Sequence, residues 1–93
     1  MKLRIRTRRQ MIELNADEAA GLRERLRHVP AALPAEETIA VSANASTSVT
    51  FTEQQRVAVL EVLDRWIEEV GPAAGEGPVN LRDALRDEPA ANE

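Results

Sequence analysis

The sequence predicts an α+β fold in which two ββα repeats form a four-stranded antiparallel sheet, with two helices packed on one face and a short C-terminal helix. Three observations predict it. Apolar residues alternate with polar ones in four short stretches, at Leu3 and Ile5, Ile12 and Leu14, Ile39 and Val41, and Val49 and Phe51; period two marks a strand with one buried face. Two capping boxes, Asn15-Ala16-Asp17-Glu18 and Thr52-Glu53-Gln54-Gln55, each open a stripe of helical spacing. A slide of 37 positions lays Ile12, Leu14, Asn15, Leu22 and Leu26 onto Val49, Phe51, Thr52, Val59 and Leu63. A slide of 36 lays Leu3 and Ile5 onto Ile39 and Val41.

Each element follows from its residues. Thr7-Arg8-Arg9-Gln10 reads as the turn of the first hairpin, although it lacks the glycine that tight turns favour. The first helix carries Ala19, Leu22, Leu26 and Val29 on one stripe and ends near His28, before Pro30. Residues 30–37 read as a linker. The second strand pair turns at Asn44-Ala45-Ser46, and a helix then runs from about Glu53 to Val70. Gly21, and Ala58 at the matching position, would let each helix approach its neighbour closely. Gly71 to Pro78 is rich in small residues and reads as a flexible loop. Asn80 then caps a helix of about two turns carrying Leu81, Ala84 and Leu85, which needs docking to be stable. The boundaries are one domain over 1–88, repeat units at about 2–29 and 38–70, the last helix at about 80–87, and a disordered tail over 89–93.

Composition narrows the function. The 93 residues hold no cysteine, no tyrosine, one tryptophan, one phenylalanine and one histidine. Disulfides, thiolate metal sites and thiol nucleophiles are therefore excluded. No apolar run exceeds four residues, Val57 to Leu60, so nothing spans a membrane. Thr7-Arg8-Arg9-Gln10-Met11-Ile12 superficially matches a twin-arginine signal, but Glu13, Asn15, Asp17 and Glu18 interrupt the apolar stretch that export requires. The expectation is a cytoplasmic protein.

Chemistry is equally constrained. His28 sits at the end of the first helix beside Arg25 and Arg27, where a cation complements the helix dipole, and no nucleophile is spaced to use it. One histidine makes no multi-histidine metal site. Glu36-Glu37, Glu68-Glu69 and Asp87-Glu88 are adjacent pairs that diverge on a helix, whereas sharing a proton or metal needs convergence. The hydroxyl-rich run from Ser42 to Thr52 has no activating base nearby in sequence, and no glycine-rich phosphate loop is present. The expectation is a non-enzyme without catalytic residues, cofactor or metal.

Charge is uneven. Residues 1–29 hold eight basic and four acidic side chains, and residues 30–93 hold four and twelve. Lys2, Arg4 and Arg6 alternate with Leu3 and Ile5 and so line the open face of the sheet, with Arg8 and Arg9 at the hairpin tip. Such a stripe could contact phosphates, which makes weak nucleic-acid binding the alternative function. Strand cations also discourage edge-to-edge aggregation. The missing outward aromatics and the acidic total favour that second role, so nucleic acid is not the expected partner.

The second capped helix is apolar on its stripe (Val59, Leu63, Trp66, Val70) and on both flanks, where Leu60 and Val62 replace Arg23 and Arg25 of the first. A helix wet on one side needs only the stripe. The sequence identifies no intramolecular cover for the Val62 side. The expected function is therefore protein–protein contact, as a homodimer through Val59, Val62 and Trp66. The competing reading is that Trp66 fills the core of the monomer.

Overall fold

A computed structural model of the chain describes residues 3–7, 10–45 and 48–87. The order is β1 (Leu3–Arg6), β2 (Met11–Leu14), α1 (Ala16–Arg27), a 3-10 turn (Pro30–Ala32), α2 (Leu33–Ala45), β3 (Val49–Thr50), α3 (Glu53–Val70), a second 3-10 turn (Gly71–Ala74) and α4 (Glu76–Asp87). The first hairpin forms as its alternation requires, with Leu3 opposite Leu14 and Ile5 opposite Ile12. Its turn dispenses with glycine because Thr7 does the work. The Thr7 amide and hydroxyl both donate to the Gln10 carbonyl, at 2.9 and 2.8 Å, and the Gln10 amide donates back to the hydroxyl.

The four-stranded antiparallel sheet of two ββα repeats is not there. The sheet has three strands in the order β2-β1-β3, and β3 is a two-residue strand parallel to β1, pairing Ile5 with Val49 and Arg6 with Thr50. Ile39 and Val41, expected in a strand, lie inside α2. The stripe that decides this is Ala32, Ala35, Ile39 and Ser42, all buried and spaced as a helix spaces them. Val41 points outward at 68% exposure, where the strand register would have placed it beside Ile39 in the core. The expected linker is also helical. Pro34 occupies the first turn of α2, where its missing N–H leaves no bond unmade.

Both capping boxes form. Asn15 accepts from the Glu18 amide at 2.8 Å and Glu18 accepts from the Asn15 amide at 3.0 Å. Thr52 and Gln55 reciprocate at 3.2 and 2.9 Å. Each box also reaches a further helix. The second oxygen of Glu18 accepts from the Gly77 amide at 3.1 Å, and the Gln55 amide group donates to Thr38 at 3.0 Å. The boxes, not a ββα unit, are what the two halves of the chain share.

The stretch from Gly71 to Pro78, expected to be a loose loop, is built into the fold. Ala74, Gly77 and Pro78 are buried, and α4 begins at Glu76, ahead of the anticipated Asn80. Gly75 adopts φ +103°, a conformation that side chains resist. Leu81 and Leu85 dock as their spacing requires, in one core with Ile5, Leu14, Leu22, Leu26, Ile39 and Leu63. Residues 89–93, the expected tail, lie outside the described residues.

α3 is the central helix and touches α1, α2, α4 and both 3-10 turns. This is why it is apolar on so wide a sector: Ala58, Val59, Val62, Leu63 and Trp66 are buried and Leu60 and Ile67 are packed against them. The helices cover one face of the sheet. The other face presents Arg4, Arg6, Met11, Glu13 and Thr50 to solvent.

Candidate functional site

The cations of α1 point to different neighbours. Arg23 meets Glu36 of α2 at 3.0 Å, and Arg27 meets the same carboxylate at 3.4 Å. Glu36 is only 12% exposed, so this cluster is a partly desolvated link between α1 and α2. His28, the C-cap of α1, lies 3.2 Å from Glu24. Arg25 turns towards α3 and lies over the Trp66 ring, 4.9 Å from its centroid.

Gly21, one turn before Arg25, sets how closely the ring can lie. A Cβ there would fall 3.0 Å from two Trp66 ring carbons. Alanine ordinarily gains about 1 kcal/mol over glycine inside a helix, but here the Trp66 ring would have to shift out of its packing to admit the methyl group, and overpacking costs about 1–3 kcal/mol. Gly21→Ala is therefore expected to lower stability by about 1 kcal/mol on balance, read from the urea midpoint. A midpoint at or above that of the parent would show that the ring yields.

Beyond Gly21 the two helices part, and a cleft of about 170 Å³ opens between them. Its apolar wall is Val29, Val62 and Trp66; its rim is Arg25, His28, Arg65 and Glu69. Arg65 is exposed and loosely paired with Glu61 at 3.6 Å. Arg25 has no carboxylate within ion-pair distance among the described residues, and its Nε is closed off from solvent without a hydrogen-bond acceptor. A guanidinium over an indole is attracted by the ring by about 0.5–2 kcal/mol, an attraction that leaves the Nε donor without an acceptor.

Two of the residues singled out from sequence, Val62 and Trp66, thus share one site. Most of their surface is covered within the chain, the 4% and 8% that stays exposed lying at the cleft, and Val59 is fully buried. The cover that the sequence did not reveal is α1, whose Gly21 and Arg25 face Trp66. Arg25 was the residue missed: at its position an arginine looks like a wet helix flank. Its i+4 spacing from Gly21 was the available signal, since the space a glycine leaves is often filled by a large side chain from a neighbour.

No family model, no curated protein and no solved structure matches the chain. The site must speak for itself. Arg4 and Arg6 stand side by side on the open face of the sheet, as their alternation requires, with Glu13 opposite Arg4. Lys2, Arg8 and Arg9 lie outside the described residues. Trp66 belongs to the helical layer and Phe51 packs against the core, so neither supplies a base-stacking platform on that face. Among the described residues no group of three or more histidine or acidic side chains could hold a metal ion. No helix among them is long and apolar enough to cross a membrane. A second groove of about 370 Å³ runs between β2 and α4, lined by Gln10, Met11, Ile12, Glu13, Asn80 and Asp83; it is open and mostly polar, and none of its side chains is a cation.

Proposed function

We propose that this chain is a non-catalytic interaction domain that docks one side chain of a protein partner in the cleft between α1 and α3. The observation that carries the reading is Arg25, lying over the Trp66 ring at the cleft and lacking a carboxylate of its own among the described residues. Size supports it. Small-molecule sites run to about 300–1,000 Å³, whereas 170 Å³ suits a single residue. Anchors of protein interfaces are pockets of this kind, where an aromatic residue and an arginine carry most of the energy.

The test is selection from a random peptide display library, followed by titration of the enriched peptides in solution. Trp66 is the only tryptophan and the chain has no tyrosine, so its emission reports on the cleft alone. Enriched peptides that share an apolar anchor, shift the emission and bind Arg65→Glu more weakly are the expected result. Peptides that bind without moving the emission would overturn it, as would no enrichment at all. A second copy of the chain is one possible partner, through the same Val62 and Trp66. Sedimentation equilibrium decides that case: a protein still monomeric at about 1 mM has a self-affinity below about 4 kcal/mol, and its partner is then another chain.

A further inference from the structure

The cleft offers two chemistries within a space that fits one residue. Val29, Val62 and Trp66 form an apolar wall, while Arg25 on the rim has no carboxylate of its own among the described residues. An occupant must therefore bring an apolar group and a negative charge together. Within an extended chain, successive side chains point to opposite faces, so an acidic residue beside an apolar one cannot send both into the same small cleft. Residues two apart do share a face, but about 6.6 Å separates them, too far for a cleft of this volume. The last residue of a chain differs, because its side chain and its α-carboxylate leave the same Cα.

Resting on the interaction reading above, we propose that the cleft binds the C-terminal residue of a partner protein, with its apolar side chain on Val62 and Trp66 and its free carboxylate on the Arg25 guanidinium. A carboxylate matches a guanidinium with two parallel hydrogen bonds, which makes this pair more directional than a contact to lysine. Contact with the Trp66 ring holds the guanidinium at the cleft, so less freedom is lost when the carboxylate arrives. Glu69 on the same rim disfavours polyanions such as nucleic acid, because their further charges would fall beside it.

The experiment titrates four ligands against Trp66 emission: acetyl-Ala-Ala-Ala-Leu with a free carboxylate, its C-terminal amide, acetyl-Ala-Ala-Ala-Ala with a free carboxylate, and N-acetylleucine. The free acid ending in leucine is expected to bind about tenfold more tightly than its amide. It should also bind more tightly than the alanine peptide and N-acetylleucine. Arg25→Lys keeps the charge but loses the planar fork and should reduce the acid-to-amide ratio towards one. Arg65→Gln, on an exposed side chain that the fold does not need, should weaken both ligands without removing the ratio. Equal binding of acid and amide overturns the carboxylate assignment while leaving the interaction reading intact. N-acetylleucine binding as tightly as the peptide overturns the assignment to a protein terminus in favour of a small free acid. No binding by any of the four overturns this inference; peptides enriched from the random library then bear on the interaction reading separately.

Discussion

Gly77→Ala is expected to lower stability by about 2–3 kcal/mol, against the direction that helix propensity alone would give. Gly77 lies in the first turn of α4, where exchange for alanine would ordinarily gain a fraction of a kcal/mol to about one. Here a Cβ would sit 2.6 Å from Leu14 Cδ2 and from Glu18 Oε1, and 3.1 Å from the Glu13 carbonyl oxygen. Leu14 is fully buried and cannot swing away, and the carbonyl belongs to β2. Glu18 can move only by giving up its bonds to the Asn15 and Gly77 amides. For a chain of this length the loss corresponds to a melting temperature lower by about 10–20 °C, measured by circular dichroism. In a Glu18→Ala background the extra cost of the methyl group should shrink, because one of its three obstacles is gone. An unchanged melting temperature in Gly77→Ala would mean that α4 docks less closely than the structure shows.

Leu81→Ala should be comparably damaging. Leu81 is fully buried in the core that α4 shares with α3 and β2. Leucine-to-alanine changes at such sites cost about 2–5 kcal/mol, according to how far the surroundings close on the cavity. The more telling expectation concerns cooperativity. A 12-residue helix has no stability of its own in water, so α4 persists only while the core holds it. Helical ellipticity and Trp66 emission should therefore fall together in denaturant, for the variant as for the parent. Two separated transitions would make α4 an appendage instead of part of the domain.

These two residues mark the two sides of what the sequence reveals. Leu81 and Leu85 were legible, because i, i+4 leucines have few uses other than docking. Gly77 and Pro78 were not: small residues suggest a loop until the neighbour that needs their smallness is known, and that neighbour is Glu18, 59 positions away. α2 failed for a related reason. Its helical stripe runs through Ala32 and Ala35, whose small side chains barely register as apolar, while Ile39 and Val41 stand out and imitate a strand. Pro30 and Pro34 strengthened the error, since proline marks a helix start as readily as a linker. The first hairpin, α1 and α3 were legible from alternation, capping boxes and stripes, which are local signals. At the candidate site, Val62 and Trp66 stood out by their surplus of apolar surface. Arg25 did not, because stacking on an indole leaves no trace in the spacing of charges.

The two oxygens of Glu18 also imply an order of events. One closes a capping box with a residue three positions away, and the other waits for an amide that lies 59 positions along the chain. Local helix formation takes about a microsecond or less, whereas a contact so distant in sequence must await closure of a long loop. The capping bond can therefore form in fleeting turns of α1 before α4 arrives, and the start of α1 acts as a mooring on which the last helix berths.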